Sequence, residues 1–374
     1  MSMLRLASWA GALALAWGLA AAPPAPAAEP PALQGLSGAA KERVAKLIEG
    51  AKKEGEVVVI SNVFRPEPAQ QIFEEFKKHY GLPDAKLSFT AKSSGAVIAA
   101  VKTDITSGRD TYDVVQVGSA VFFQDLHKGN ALMKYDSPHY ASYIPEVTGK
   151  APGAVAKEGY YISGMSIVAG IVWNTKYVKK DIKTWEDILD PAYKGKIVIT
   201  DVLQSATIIS IYGGMRKVMP RSYFEQLAKQ EPIFVVRSNT MLRQLASGEK
   251  WIAALMSTAT GFQHEGKDAP VKAVVPPGGT VLLGYPFGIL AKAPHPNMAR
   301  LFIDYIHGPG HPQFIELQGY ASGMKGLKVS PKIREFVPAI ETLKVIPMDW
   351  ERIGQKEIDA WRKEFREIFG ESKQ

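Results

Sequence analysis

No cysteine occurs in the 374 residues. That absence excludes disulfides, thiolate metal sites, cysteine nucleophiles and the diacylglyceryl-cysteine anchor of exported lipoproteins. Histidine is sparse, at seven residues, and His79, His127, His139, His264 and His295 show no metal-ligand spacing. His307 and His311 stand four apart, but Gly308, Pro309 and Gly310 break any helix between them. This predicts surface or capping histidines rather than a shared ligand face. No G-x-S-x-G, H-E-x-x-H, Walker or G-x-G-x-x-G pattern is present, so neither an enzymatic activity nor a cofactor is expected. The formal charge of +8 comes without a long Lys/Arg block, since basic residues are interspersed with acids, as in Lys52-Lys53-Glu54. Such a dispersed balance describes solvated helix faces and argues against nucleic acid as a partner.

What is present points to an exported globular protein. Apolar residues make up 46% and charged residues 22%, and the length allows about two domains. Arg5 precedes an apolar segment, Leu6 to Ala22, followed by Pro23, Pro24 and Pro26 among Ala25, Ala27 and Ala28. This is the pattern of a cleavable secretory signal over residues 1–28. No later stretch is long and apolar enough to span a bilayer. The expected location is the periplasm, as a monomer without a lipid anchor.

The chain then alternates elements of period 3.6 and period 2. A helix is predicted over Leu33 to Lys53, a strand over Glu56 to Asn62, a helix over Phe64 to Tyr80 and a strand over Lys86 to Thr90. A helix over Ala96 to Ser107, a strand over Thr111 to Val117 and a helix after Gly118-Ser119 follow. This βαβαβα order implies a parallel or mostly parallel sheet flanked by helices, with ligands at the strands' carboxyl ends. Residues 132–152 read as loop. Beyond them, Tyr160 to Lys180 holds a β-branched apolar run around Ala169-Gly170, closed by the turn Asn174-Thr175. It predicts a buried strand crossing between two lobes. Further βα units follow, with a short capped helix over Thr184 to Leu189, strands near 196–200, 233–236, 251–256, 272–275 and 288–290, and a final amphipathic helix over Asp349 to Phe369.

Trp173-Asn174-Thr175, followed by Thr184-Trp185-Glu186-Asp187-Ile188-Leu189-Asp190-Pro191-Ala192-Tyr193-Lys194-Gly195-Lys196-Ile197, resembles the signature of family 1 extracellular solute-binding proteins. These are the ferric-ion-binding-like receptors of ABC importers. Ser93-Ser94-Gly95, Tyr135-Asp136-Ser137-Pro138, Ser247-Gly248-Glu249 and Ala293-Pro294-His295-Pro296-Asn297 agree with it. The resemblance implies an α/β, two-lobed, type II periplasmic-binding-protein fold. Each lobe would be a mixed, mostly parallel sheet flanked by helices, and crossover hinge strands would join them. The implied lobes are 40–165 plus 286–345, and 170–282, with 349–370 packing as a terminal helix. A small-molecule ligand and the permease subunits of an inner-membrane ABC transporter are the implied partners. Iron-binding members place adjacent tyrosines after the strand matching Trp251 to Met256. Here that region reads Ser257-Thr258-Ala259-Thr260-Gly261-Phe262-Gln263-His264, and the pair Tyr160-Tyr161 lies before the crossover. A small organic anion is therefore the expected ligand. A ferric ion held by other oxygen ligands with a synergistic anion, and an exported enzyme on the same fold, are the alternatives.

Candidate ligand contacts sit where small polar residues meet predicted helix starts, because the first N–H groups of a helix have no backbone partner and attract anions. They are Ser93, Ser94 and Gly95, then Ser119, then Ser205, Ala206 and Thr207. Arg65 after the first strand and Arg237 after the IFVV strand can present planar forks to an anion, and Ser238 and Asn239 open a fourth helix. Asn62, Ser257 and Tyr285 complete the set; Tyr285 and Trp173 can flank the ligand or simply pack in the hinge. No metal ligand is assigned.

Overall fold

Two sheets make up the fold, and a long buried strand of the second follows the helices and strands of the first, to which the chain later returns for one edge strand. The computed structural model describes residues 29–150, 155–236, 238–264, 270–350 and 352–370. The expected signal over 1–28 lies outside the described residues. The first half contains α1 (Gly38–Glu54), β1 (Glu56–Ser61), α2 (Pro66–Tyr80), β2 (Lys86–Ala91), α3 (Ser94–Ser107), β3 (Val114–Gln116), α4 (Ala120–Lys128) and the single turn α5 (Pro145–Thr148). The long strand β4 (Met165–Asn174) follows. After it come β5 (Ile197–Thr200), α6 (Ala206–Met215), α7 (Arg221–Lys229), β6 (Ile233–Val235), α8 (Ser238–Ser247), β7 (Ile252–Ser257), α9 (Ala259–His264), β8 (Val271–Val274) and β9 (Leu282–Gly284). The chain finishes with β10 (Phe287–Ile289), α10 (Pro296–His307), α11 (His311–Gln318), β11 (Ala321–Ser322), α12 (Pro331–Phe336) and α13 (Gln355–Phe369).

The first sheet runs β10-β3-β1-β2, with β1 parallel to both neighbours and β10 antiparallel to β3. The second runs β11-β4-β7-β5-β6. Its β5 is parallel to β6 and β7, whereas β4 pairs antiparallel with β7, β8, β9 and β11. The second sheet is thus mostly antiparallel, against the expectation of a mostly parallel sheet in each lobe, because the strand that crosses between lobes runs against its neighbours. All ten residues of β4 are buried. This explains its unbroken apolar sequence, since a strand covered on both faces has no reason to alternate. Gly170 is required there: a Cβ would lie 2.4 Å from the Val274 carbonyl oxygen and 2.5 Å from the Thr258 methyl.

The return crossing takes only two residues. β9 pairs with β4 and β10 pairs with β3, so Tyr285-Pro286 links the two sheets, and the Tyr285 N–H donates to the Met165 carbonyl at 3.0 Å. A third segment returns at β11, which pairs with Met165 and Ser166.

Several element boundaries differ from the sequence reading. Residues 31–33 form a separate 3-10 turn, and α1 starts only at Gly38. The helix expected from Asp349 begins at Gln355, where the Glu357 carboxylate accepts from the Gly354 N–H at 3.0 Å and caps it. Helix α13 packs on α6 and α7, with Glu364 taking Tyr212 Oη at 2.9 Å and the Arg216 guanidinium. Helix α12 packs on α9 and β8, with Phe336 against Phe262, although the expected first lobe ran to residue 345. The largest difference concerns His307 and His311. The turn at 308–310 does end one helix and start another, but in doing so it folds the two rings onto each other, 6.5 Å apart and 19° from parallel. Both residues are about 1% exposed, so they are core rather than surface groups.

Candidate functional site

A cavity of about 270 Å³ lies where the two sheets' helix starts face each other. On the first-sheet side it is lined by Asn62 to Pro66, at the β1–α2 connection, and Ala91 to Ser94, at the β2–α3 connection. On the other side stand Thr200 at the end of β5, Ser205, Thr207 and Ile208 at the start of α6, Met256 and Ser257 at the end of β7, and Thr260 and Gln263 on α9. Tyr285 from the return crossing and Tyr320 close the floor. These are carboxyl ends of parallel strands, where open α/β sheets leave a crevice.

Local chemistry explains each position. Ser61 Oγ donates to Gln116 Oε1 at 2.7 Å and accepts from the N–H groups of Val63 and Phe64, which turns the chain sharply after β1 and brings Arg65 to the cleft. Ser205 caps α6 by accepting from Ile208 N–H at 3.2 Å. At β7, the pairs Gly170–Met256 and Val172–Ala253 leave Ala254 and Leu255 opposite Ile171 alone, and Leu255 takes φ +53°. This is a β-bulge, a device that re-aims side chains next to sites, and here it precedes Met256 and Ser257.

The cleft's charges are of one sign. Arg65 and Lys92 are the charged residues of its described lining, which contains no carboxylate. Arg65 is half-buried; its Nη2 donates to the Leu317 carbonyl at 2.6 Å and Nε to Gln318 Oε1 at 3.4 Å, and burial lowers its pKa. Two lining hydroxyls, Thr200 Oγ1 and Ser257 Oγ, are buried with no hydrogen-bond partner. Burying an unmatched hydroxyl costs about 1–3 kcal/mol. Burial also raises the Tyr285 and Tyr320 phenols, so both stay protonated.

The lobes touch across this cavity. Ser94 Oγ lies 3.5 Å from Ser205 Oγ, and Thr207 Oγ1 donates to the Gly118 carbonyl at 3.2 Å. Tyr285 Oη donates to Thr207 Oγ1 at 3.4 Å. Gly118 must be glycine, since a Cβ would fall 2.6 Å from Tyr285 Cζ.

Of the sequence-derived candidates, Asn62, Arg65, Ser93, Ser94, Ser205, Thr207, Ser257 and Tyr285 line the cavity. Gly95 and Ala206 stand next to it within their helix starts without lining it, and a Cβ on Gly95 would come 3.1 Å from the Gln204 carbonyl. Ser119 is drawn away: its Oγ accepts from Phe122 N–H and caps α4. Trp173 is 3% exposed within β4 and does not reach the cavity. Arg237 lies outside the described residues, as do the side chains of Ser238 and Asn239. Sequence reasoning missed Lys92, Thr200, Thr260, Gln263 and Tyr320. Thr200 was findable as the last residue of a β-branched strand, but Gln263 and Tyr320 arrive from elements that patterning did not resolve.

The signature stretch itself is structural. Asn174 Nδ2 donates to the Leu245 carbonyl at 2.8 Å and its Oδ1 accepts from Lys176 N–H at 2.8 Å. Asp187 accepts from the N–H groups of Lys183 and Thr184, and Asp190 from that of Ala192 at 2.9 Å.

Residues 71–335 match the family model described as bacterial extracellular solute-binding protein. An uncharacterized protein of Haemophilus influenzae is 24% identical over 310 residues, covering 76% of this chain and 84% of its own. Among solved structures, the periplasmic binding protein AfuA of Actinobacillus pleuropneumoniae, with fructose 6-phosphate bound, is similar at TM-score 0.70 and 21% identity, over 84% of this chain and 98% of that one. Iron-bound HitA of Pseudomonas aeruginosa is similar at TM-score 0.66 and 14% identity, over 84% and 99%. The expected α/β, two-lobed type II architecture is therefore the observed one, in a family of receptors rather than enzymes. With the model match spanning most of its length, this chain belongs to the bacterial extracellular solute-binding proteins, the periplasmic binding components of ABC transporters.

Proposed function

We propose that this receptor captures a small anionic organic solute between its lobes and delivers it to ABC permease subunits as a monomer released by signal cleavage. The observation that carries this reading is the charge of the cleft: Arg65 and Lys92 are its charged residues and no described lining residue is acidic. The N-terminal turns of α3 and α6 open on the same space, where unpaired N–H groups favour negative charge. Ser93, Ser94, Ser205, Thr207 and Ser257 supply further donors around it. The organic anion fructose 6-phosphate is held by one protein of this fold. Iron is held by another, but here no cluster of three His, Asp or Glu side chains suited to a metal occurs among the described residues.

The lobes are proposed to divide at β4 and at Tyr285-Pro286, and their closure would complete the site. A charge-assisted fork and several neutral donors are sufficient for micromolar affinity, about −8 kcal/mol. Native mass spectrometry of the purified protein, followed by calorimetry with the released solute, tests the reading. Arg65→Gln is expected to weaken binding by roughly tenfold to a hundredfold, the worth of a hydrogen bond to a charged group. Release of a neutral sugar, or stoichiometric ferric ion without an organic anion, overturns it.

A further inference from the structure

The polar groups of the cavity are segregated. Both described cations, Arg65 and Lys92, stand on the first-sheet side, whereas the described residues of the second-sheet side offer neutral groups at Thr200, Ser205, Thr207 and Ser257. Two of these, Thr200 Oγ1 and Ser257 Oγ, are buried and unpartnered, and Thr200 is only 4% exposed. A hydroxyl both donates and accepts, so this pair can satisfy a ligand hydroxyl or carbonyl. An ammonium needs more than neutral acceptors when it leaves water, because an unpaired buried charge is far costlier than an unpaired hydroxyl.

Building on the anion reading, we infer that the solute carries its negative group at one end and hydroxyl or carbonyl oxygens, but no amino group, at the other. The site is thereby selective against amino acids, aminophosphonates and amino sugar phosphates. The anionic head meets Arg65, Lys92 and the start of α3; the oxygenated end meets Thr200 and Ser257. The cavity of about 270 Å³ sits just below the ~300–1,000 Å³ range of drug-sized pockets, which fits a solute of a few carbons.

The test is calorimetry on the mature protein with three matched pairs that differ only by an amine in place of a hydroxyl: glycerate and serine, 2-hydroxyethylphosphonate and 2-aminoethylphosphonate, and glucose 6-phosphate and glucosamine 6-phosphate. In any pair that binds, the hydroxy member is expected to be at least about tenfold tighter. An amine that binds equally or better overturns the inference while leaving the anion reading intact. If no member binds but ferric ion or a neutral sugar does, the anion reading itself falls. If nothing binds at all, both fall. Thr200→Val, which removes a hydroxyl with no partner in the structure and so leaves the fold in place, is expected to weaken the hydroxy member about tenfold and leave the amine unaffected. Unchanged affinity would place the oxygenated end elsewhere.

Discussion

Two buried polar regions of this protein are built on opposite principles. On the first-sheet side Asp304, 2% exposed, accepts from Ser137 Oγ at 2.6 Å, Tyr135 Oη at 2.8 Å and Arg43 Nη1 at 3.1 Å. Every element of that hub is answered by another, and it ties α10 to α1 and to the loop after α4. In the cleft, Thr200 and Ser257 bury hydroxyls that nothing answers, and Arg65 and Lys92 face no described carboxylate. A satisfied network rigidifies, whereas an unsatisfied one keeps its free energy available to a ligand. Burial does not distinguish the hub from the cleft, since both contain buried residues, and unanswered atoms also occur outside the cleft, as at His307; what marks the cleft is that its unanswered hydroxyls line a cavity.

The strongest way to break the contrast is at the hub. Asp304→Ala leaves the Tyr135 and Ser137 hydroxyl donors unanswered, at a cost of about 1–3 kcal/mol each in urea denaturation, while the partly exposed Arg43 keeps its bond to Tyr135 Oη; solute affinity of the folded protein is expected to be unchanged. A loss below ~1 kcal/mol would show that the network does not hold the lobe.

A buried pair outside the cleft provides the next test. His307 has two ring nitrogens without partners, and His311 bonds to the Ile306 carbonyl and to Ser322 Oγ. His139, Tyr140 and Tyr143 face them, without a carboxylate against either ring. Burial lowers both histidines, His311 from 6.5 to about 4 and His307 well below its ordinary value. Well above pH 6.5 the folded and unfolded chains bind the same number of protons at these sites. As pH falls from 6.5 toward 4 the unfolded chain takes up protons that the folded one refuses, so stability declines. For His311 the loss amounts to roughly 3 kcal/mol. Melting temperature followed from pH 7 to 4 should drop, and drop less in His311→Gln; identical slopes would remove the histidines from the explanation.

Closure gives an intermediate effect. Gly118→Ala puts a methyl against the Tyr285 ring and should cost about 1–3 kcal/mol of stability together with weaker solute binding, read by calorimetry. Binding at wild-type strength would mean that the ring moves freely.

The smallest effects discriminate best. Ser137→Ala removes a matched hydroxyl and is expected to destabilise by ~1–2 kcal/mol. Ser257→Ala removes an unmatched one and should leave the empty protein equally or slightly more stable, while weakening solute binding. Equal destabilisation by both in thermal melts would erase the distinction drawn between hub and cleft.

Much of this was legible in one dimension. The order of βα units and the crossover strand around Ala169-Gly170 follow from periodicity, and four of the cleft residues, Ser93, Ser94, Ser205 and Thr207, follow from the rule that small polar residues at helix starts collect at strand ends. Ser119 shows the limit of that rule: its residue type is that of Ser205, and both cap a helix, but only Ser205 lies at the mouth between the sheets. The histidine pair shows another limit. A Gly-Pro-Gly turn does end a helix, yet whether it separates or stacks the flanking rings depends on where the next helix packs.

Local propensity determined the elements of this protein, because turn residues and hydrophobic period act over a few neighbours. The family signature likewise speaks locally, as its residues cap turns and anchor loops. The assembly of the cleft was decided by tertiary structure alone: Tyr320 and Gln263 reach it from α11's exit and from α9, Leu255 bends β7 toward it, and the two-residue link at Tyr285-Pro286 holds the sheets face to face. Apart from Tyr285, none of these positions carries a sequence mark, because a cavity is created by distances between segments, and those are set by how the layers pack.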